Sequence, residues 1–358
     1  MPPDSPTRRR AITIFAAAAA GAMAGGPARS ARADYAWRGV AMGADATILF
    51  NGIEPEAARA AIAMVEAEID RLEGALSLYR SDSELCRLNR TGLLLEPSGD
   101  LRRAIHIALN ISSISDGSFD PTVQPLWETY VDWFTASPGA GLPPDSIIAP
   151  ARAAVDWRKI SLEPDAIRSG PDQRLTLNGL GQGYVTDRVA ELLATQGLKY
   201  ILVDLGEQRA LAPRQNGEPW RVAREGAAPF RLTHGALATS EGSGCVLGAG
   251  GAVHHLFDPR TGRSAARWKR VTVHHRSAAI ADALSTALYI ASADEIRAIL
   301  PRVTGVIAWA RDHDDREWCW SSPPVDGLRL RKQADAHRVE VNHPHCYLVL
   351  PSASYCLR

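Results

Sequence analysis

The sequence predicts an α+β fold, in which helices pack on layered mixed sheets. The chain has 358 residues, 46% of them hydrophobic, so it is long enough to bury a full core. Strand-like and helical segments follow one another without the strict alternation of a doubly wound sheet. From Glu54 to Leu76, apolar residues recur at steps of three and four, which is typical of an amphipathic helix lying on a sheet.

The first 33 residues have the organisation of an export signal. Arginines at positions 8–10 precede an alanine-rich apolar run at 11–24, and the small-residue segment 31–33 offers a cleavage site. Paired arginines favour the twin-arginine route into the periplasm. A membrane anchor is the alternative, but the run is short for about 30 Å of hydrocarbon. We therefore expect a periplasmic protein whose mature chain begins at residue 34.

Charge and cysteine usage exclude some classes of function. Forty basic and 40 acidic residues give a formal net charge of zero, so no overall field favours nucleic acid or an anionic membrane. The spacing of the five cysteines matches no metal motif. Cys346 and Cys356 are close enough in sequence for a disulfide that closes a short loop.

The mature chain is expected to form one domain over residues 34–330, followed by a poorly defined extension at 331–358. The Pro- and Gly-rich segment 137–150 predicts an exposed connection, where the domain could divide into two subdomains. Besides the first helix, helical patterns run to Asn89, over 101–115 and from the glycine-rich turn to Gln196. Strands are predicted at 40–50, Ile160, Leu175, 199–205, 219–222, 235–240 and 270–273, and the pattern loosens from Val303.

A polar face on the helix after the strand at 270–273 is the first candidate site. Asp282, Ser285 and Thr286 are three and four positions apart, so their oxygens project from one helical face. Magnesium takes oxygen ligands, commonly one or two carboxylates together with substrate phosphates. The alternative is that Asp282 only caps the helix start, a common role of Asp in such positions.

Three other motifs allow either a structural or a chemical role. The glycines of segment 178–184 let backbone amides approach a phosphate, although the order differs from a dinucleotide-binding fingerprint and an ordinary tight turn is the alternative. Asp120 precedes a proline in the loop 116–123, which by itself is a turn. His255 stands at a strand end before an Asp-Pro-x-Thr-Gly turn, where a histidine is either packed or catalytic.

Six ordered blocks together resemble the ApbE family of FAD:protein FMN transferases, bacterial envelope enzymes that attach FMN, through its phosphate, to a Thr or Ser of a target protein. The blocks are 42–43, 78–85, 117–123, 181–184 with Asp187, 255–262 and 281–288. The resemblance runs from Gly39 to Leu300. It implies an ApbE-like, T-fold-like architecture with FAD as substrate and Mg²⁺ as cofactor.

The resemblance also implies roles for single residues. Two groups contact the flavin nucleotide on opposite sides: Met42 and Tyr79, the latter by stacking, and Ser118, Phe119 and Asp120. Positions 176, 182 and 256, here Thr176, Gln182 and Leu256, also belong to the nucleotide site. Magnesium is held by the backbone at Gly179 and the side chains of Asp282 and Thr286, with Ser285 contributing in some members. His255 takes part in the transfer.

The chain departs from the family pattern at three positions. Thr176 replaces a frequent Asp and Gln182 a frequent Lys, so a carboxylate and an ammonium are lost together and the local charge stays balanced. With a Gln at position 182, the chain is similar to family members that are associated with nitrous oxide reductase maturation. Glu207 replaces the second glycine of a usual Gly-Gly, which adds a Cβ where close backbone approach is expected.

The function expected from the resemblance is Mg²⁺-dependent transfer of FMN to a Thr or Ser hydroxyl, with release of AMP. Magnesium on Asp282 would neutralise phosphate charge, and His255 would take the hydroxyl proton. The acceptor is expected to be an exported or membrane-bound protein, a subunit of a respiratory redox complex. Self-flavinylation is not expected, because the sequence shows no acceptor-like segment. Two alternatives remain: a non-catalytic FAD-binding carrier or assembly factor, and an FAD pyrophosphatase with water as acceptor.

Overall fold

The computed structural model describes residues 33–137, 139–224, 227–247 and 253–323. The predicted export signal, apart from Ala33, and the extension at 331–358 with Cys346 and Cys356 lie outside these ranges. Helices and antiparallel sheets make up the described part, which confirms the α+β class. Within it, no helix combines the length and apolar character needed to cross a bilayer.

The helices keep the predicted order. The amphipathic segment is helix α1, whose buried stripe includes Ile62, Val65, Ile69 and Leu72. The helices are α1 (Pro55–Leu76), α2 (Glu84–Thr91), α3 (Gly99–Ile114), α4 (Gln124–Ala136), α5 (Asp145–Ala153), α6 (Gly181–Thr195), α7 (Ala278–Ile290) and α8 (Ala293–Ile299).

The strands form one large sheet and four small ones. They are β1 (Ala33–Ala41), β2 (Ala44–Ile53), β3 (Leu93–Leu95), β4 (Ser161–Leu162), β5 (Ala166–Arg168), β6 (Ile201–Asp204), β7 (Gln208–Ala210), β8 (Trp220–Arg224), β9 (Ala227–Leu232), β10 (Gly235–Glu241), β11 (Val246–Leu247), β12 (Val253–His254), β13 (Phe257–Asp258), β14 (Arg263–Ser264), β15 (Arg270–His275), β16 (Ile307–Arg311) and β17 (Glu317–Ser321). The large sheet has the order β1-β2-β6-β7-β10-β15-β16-β17, with antiparallel pairing throughout.

The large sheet is covered on both faces. Helices α1, α3, α6 and α7 contribute to the main apolar core against it. A second cluster joins the β8–β9 hairpin to the sheet, where Trp220 packs with Leu202, Leu237 and Trp309. A third cluster joins α4 and α5 to the segment around Phe257. These layers place α6 and α7 beside the central strands, and this is where the polar motifs meet.

The prediction of a single strand at 40–50 is wrong. The chain forms a hairpin, with Ala41 paired to Ala44 and a two-residue turn at Met42 and Gly43. Both turn residues have positive φ, 49° and 81°, as the tight turns favoured in hairpins require. Met42 therefore lies at a turn, where its backbone N–H donates to Glu73 Oε1 at 2.8 Å.

Other local predictions also need correction. Leu175 belongs to no strand, because the side chain of Asn89 pairs with its N–H and carbonyl at 2.7 and 2.8 Å. The predicted connection at 137–150 contains the start of α5, where Ile148 is buried. The division into subdomains there stays a prediction. After Val303, where the sequence pattern loosens and no strand was predicted, the chain forms strands β16 and β17, which complete the sheet.

Candidate active site

A cleft of about 500 Å³ brings the sequence-predicted site residues together. Its lining includes every predicted nucleotide, metal and catalytic position except Ser285: Met42, Tyr79, Ser118, Phe119, Asp120, Thr176, Gly179, Gln182, His255, Leu256, Asp282 and Thr286. They come from the β1–β2 turn, the α1–α2 link, the loops before α4 and α6, the first turn of α6, the β12–β13 link and α7. This volume lies within the usual range of small-molecule sites.

The position of α7 is fixed at its N-terminus. Ser277 is the N-cap, and its Oγ accepts from Ile280 N, so Asp282 is not the capping residue. Asp187 on α6 adds a second anchor: its carboxylate accepts from Ser277 Oγ at 2.6 Å, Ala278 N at 2.7 Å and Ala279 N at 3.1 Å. A carboxylate at a helix N-terminus also interacts favourably with the helix dipole. Asp282 is therefore available to face the cleft.

Asp282 lies where its charge is disfavoured. The side chain is 5% exposed, and Oδ2 accepts from Gly183 N at 3.0 Å. Oδ1 has no hydrogen bond within the described residues. Burial raises the pKa of Asp282 to about 7; the Gly183 N–H opposes this shift and the charge of Asp187 adds to it. A cation at Oδ1 would favour the ionised carboxylate.

Hydroxyl and backbone groups surround Asp282. Thr286 Oγ1 faces the cleft and lies 3.3 Å from Ser240 Oγ on β10. Gly179 lies so close that a Cβ there would be 3.2 Å from Thr286 Oγ1. Ser285 points elsewhere: its Oγ is 2.7 Å from Ser240 Oγ and donates to Asp282 O at 2.9 Å. Ser285 thus supports the α7–β10 contact, and its predicted metal contact stays untested.

Close packing depends on three glycines, Gly179 before α6 and Gly181 and Gly183 in its first turn. A Cβ at Gly181 would lie 3.3 Å from Met42 Cε, and one at Gly179 would lie 3.0 Å from Phe119 Cε2. At Gly183, a Cβ would lie 2.6 Å from the Ala278 carbonyl carbon and 2.8 Å from Ala279 N, inside the backbone of α7. The glycines therefore bring α6, α7 and the cleft wall together, and the N-cap of α6, Leu180, makes no side-chain cap.

Aromatic and apolar groups form the other wall. Tyr79 is 75% exposed at the rim, whereas Phe119 and Leu256 are buried in the wall. Asp120 organises its own loop: Oδ1 accepts from Thr122 N and Oγ1 at 2.8 and 2.6 Å, and Oδ2 accepts from Trp157 N at 3.1 Å. Burial raises the pKa of Asp120, and these bonds oppose the shift. The loop thus holds the predicted nucleotide contacts in place.

His255 is oriented for proton acceptance. It is half-buried at the cleft wall, and Nδ1 lies 3.3 Å from Cys245 O. Because a carbonyl oxygen only accepts, Nδ1 carries the hydrogen in this contact and Nε2 keeps a lone pair. Burial lowers the pKa of His255, and the Cys245 carbonyl opposes the shift. The neutral imidazole is therefore the form favoured at neutral pH.

Sequence reasoning missed part of the cleft. Thr239, Ser240 and Glu241 at the end of β10 line it, as does Trp127 on α4. Glu207 was noted only as an added Cβ, yet its carboxylate lines the cleft at 7% exposure. The small-residue strand at 235–240 was the available signal for the β10 groups.

The charged side chains in the described lining of the cleft are acidic. Among the described residues that line it are the carboxyl groups of Asp120, Glu207, Glu241 and Asp282, and none of these lining residues is Lys or Arg. Glu241 is balanced by Arg270 at 2.9 Å. An anionic ligand such as a diphosphate would meet repulsion here unless a cation accompanied it.

The donor set fits magnesium. The described ranges hold no group of three or more His, Cys, Asp or Glu side chains able to bind a metal. The cleft instead has the Asp282 carboxylate, the Thr286 hydroxyl and, close to Thr286, the backbone of Gly179. One carboxylate with neutral oxygens is the kind of incomplete set that Mg²⁺ completes with water and substrate phosphates.

Fold and site define an α+β protein with a nucleotide-sized, acidic cleft walled by aromatic residues. The chain belongs to the ApbE family, whose family model matches residues 42–309. It is 29% identical over 245 residues to the FAD:protein FMN transferase of Vibrio cholerae, and the aligned region covers 63% of this chain and 73% of that protein. The Salmonella typhimurium protein of the same name is 26% identical over 297 residues, 76% of this chain and 83% of its own.

A solved structure has the same fold. The apo form of the Pseudomonas stutzeri flavinyl transferase ApbE superposes with a TM-score of 0.70 at 27% identity, covering 82% of this chain and 96% of that one. The predicted family membership is therefore confirmed.

Proposed function

We propose that this protein is an enzyme that transfers FMN from FAD to a Thr or Ser hydroxyl of another protein, with Mg²⁺ as cofactor. Its family and the names of its relatives support flavin transfer. The observation that carries the proposal is the cleft in which Tyr79, His255 and Asp282 line one cavity of nucleotide size. The hydroxyl acceptor, the metal and the release of AMP are the finer parts of the proposal.

The chain's residues have separate tasks in binding. Tyr79 offers an exposed aromatic face at the rim, suited to stacking on a flavin ring. Phe119, Leu256 and Met42 offer apolar surface below it, and the Asp120 hydrogen bonds hold that wall. Held in this way, the diphosphate would lie between His255 and Asp282, which both line the same cavity.

The transfer is a substitution at phosphorus. The acceptor oxygen bonds to the FMN-side phosphorus of FAD, the bond from that phosphorus to the bridging oxygen breaks, and AMP leaves with this oxygen. His255 Nε2 accepts the hydroxyl proton, a contribution typically worth about 10² to 10⁴ in rate. When bound at Asp282, Thr286 and Gly179, a divalent ion supplies neutralisation of the phosphate charge.

The test is incubation of the purified mature protein with FAD, Mg²⁺ and a candidate acceptor, followed by mass spectrometry of the acceptor. We expect the acceptor to gain the mass of one FMN and AMP to appear in equal amount. Release of AMP and FMN without acceptor labelling would indicate a pyrophosphatase. FAD that stays bound and intact would indicate a carrier. Either outcome, obtained with several genuine acceptors, contradicts the proposal.

We also propose that the protein acts in the periplasm on an exported or membrane-bound partner, a respiratory redox subunit with a Thr or Ser acceptor motif. The support is the arginine-led apolar segment at the start of the chain. Cell fractionation with detection of the mature protein tests the location. A protein found only in the cytoplasm would contradict it.

A further inference from the structure

Glu207 is a buried carboxylate, and none of the described Lys or Arg side chains forms an ion pair with it. It follows β6, in the turn before β7, and is 7% exposed while lining the cleft. Its Oε2 accepts one long hydrogen bond, from Thr239 N at 3.3 Å, and Oε1 has none within the described residues. A buried carboxylate is stable as an anion only when it is paired, hydrogen-bonded or bound to a metal. Glu207 has little of this support.

A second carboxylate makes the position of Glu207 still less favourable. Burial is the main cause that raises the pKa of Glu207 well above its ordinary value, and the charge of Asp282 raises it further. Each of these two carboxylates uses one oxygen on a backbone N–H, Gly183 for Asp282 and Thr239 for Glu207, which leaves one oxygen on each for a ligand. The other two acidic groups of the cleft are already satisfied, Glu241 by Arg270 and Asp120 by its loop.

The neighbour that could neutralise Glu207 is neutral in this chain. Gln182 on α6 packs on the turn so closely that a Cβ at Gly206 would lie 2.5 Å from Gln182 Cδ. A lysine at position 182 would bring an ammonium beside this turn, but Gln182 brings only an amide. The absence of a fixed ammonium leaves Glu207 available to a mobile cation.

We propose that Glu207 is a second carboxylate of the divalent-cation site, acting alongside Asp282 and Thr286. This inference rests on the proposed magnesium site and deepens it. One or two carboxylates are the usual protein contribution to a Mg²⁺ site, and the number of charged ligands sets the affinity. Gln182 supplies no ammonium that could screen the charge of the diphosphate. Glu207 would compensate for this by binding more tightly the cation that screens the same charge.

The test is Mn²⁺ titration of the purified protein, followed by electron paramagnetic resonance of the free ion, without FAD and without turnover. Glu207→Gln keeps the shape of the side chain and removes its charge, and we expect about 10- to 100-fold weaker Mn²⁺ binding. Glu207→Gly is a second variant with the same expected direction. Gln182→Lys should also weaken binding, because its ammonium would compete for Glu207.

Glu241→Gln is the matched control, since it removes one negative charge from the same cleft but from a carboxylate already paired with Arg270. It should bind Mn²⁺ within about twofold of the wild type. Equal affinities for the wild type, Glu207→Gln and Glu207→Gly would overturn the inference, as would equal weakening by Glu241→Gln. Asp282→Asn separates the two proposals: if it abolishes binding while the Glu207 variants do not change it, the magnesium site stands and only the role of Glu207 fails.

Discussion

At the scale of single residues, the site combines groups whose charge states are set by burial. In the metal-free protein, burial makes both the ionisation of Asp282 and the protonation of His255 unfavourable in free energy. A carboxylate that gains by binding a cation and an imidazole that stays neutral are the forms that phosphoryl transfer requires. Both effects arise from the same low-dielectric cleft.

Asp282→Asn should reduce FMN transfer by at least a hundredfold, because the amide cannot supply the negative charge that holds the cation. The asparagine oxygen can still accept from Gly183 N, so we expect the melting temperature to change little. The measurement is the rate of acceptor labelling in excess Mg²⁺. Retention of more than about a tenth of the wild-type rate would argue against a metal role for Asp282.

The pH dependence should reveal His255. Because burial lowers its pKa below the ordinary value of about 6.5, the imidazole is neutral above that pH and becomes protonated only below it. At saturating Mg²⁺, which keeps Asp282 ionised, the transfer rate should therefore be flat above pH 7 and fall as the pH decreases through the lowered pKa of His255. His255→Ala should lose about 10² to 10⁴ in rate and lose this acid limb. An unchanged pH profile in the variant would exclude His255 as the base.

Much of the site could be predicted at this scale because short motifs carry most of its residues. What could not be predicted was the direction of single side chains. Successive helix residues turn by about 100°, so Ser285 and Thr286 lie on opposite sides of Asp282, and only packing on β10 decides which faces the cleft. Glu207 and Asp282 are 75 positions apart in the sequence and line the same cavity only in the folded chain, which no local pattern indicates.

At the scale of elements, the contact between α6 and α7 determines the site. Gly183 lets the start of α7 approach α6, and the same residue donates its N–H to Asp282. Asp187, one turn later on α6, holds the N-terminus of α7. Two helices that follow different strands are thereby fixed in one relative position.

Gly183→Ala should separate these helices. The added methyl group would collide with the backbone of Ala278 and Ala279, so we expect a loss of about 1 to 3 kcal/mol in the free energy of unfolding. Mn²⁺ affinity should fall as well, because Asp282 loses its N–H partner. Denaturant unfolding and Mn²⁺ titration measure the two effects.

Gly74→Ala is the control for this substitution. Gly74 lies in α1 with no other group within 4 Å of a Cβ, so alanine should stabilise by about 0.5 to 1 kcal/mol and leave metal affinity unchanged. Equal stability changes in the two variants would refute the packing argument.

The prediction of helices and strands succeeded where a regular apolar pattern extends over many residues. It failed where hydrogen bonding to distant parts of the chain decides the structure. Helix α1 has six turns of regular apolar spacing, and its bounds are close to those predicted. At Leu175, the side-chain amide of Asn89 takes the backbone hydrogen bonds that a neighbouring strand would have used. Strands β16 and β17 are five residues each, and β16 pairs with β15 while β17 pairs with β16, so their sequence alone gave little signal.

At the scale of the whole molecule, the balance of charge in the cleft governs ligand binding. In their ionised forms Glu207 and Asp282 repel a diphosphate, and the described lining residues include no Lys or Arg to oppose this repulsion. FAD affinity should therefore depend on a divalent cation far more strongly than in a site with basic side chains.

Thermal unfolding tests this dependence. With Mg²⁺ present and FAD at about 100 times its Kd, mass action should add about 2.7 kcal/mol to the stability and raise the melting temperature by several degrees. With EDTA, the same FAD concentration should cause a much smaller shift. The control ligand is riboflavin, which lacks the diphosphate and should respond little to Mg²⁺. An FAD shift that is equal with and without the metal would contradict the charge argument.

The sheet order has one more consequence, for the polypeptide during synthesis. Strand β2 pairs with β6, so Phe50 cannot form its pair until Ile201 has been synthesised. Asp282 is synthesised only with α7, long after Tyr79 and Phe119 of the aromatic wall. A nascent chain that stops before α7 carries Tyr79 and Phe119 but lacks Asp282 and Thr286, the side chains proposed to hold the cation. Nucleotide capture therefore reports that synthesis has passed α7, and fragments ending before α7 are expected to emerge from the ribosome without flavin.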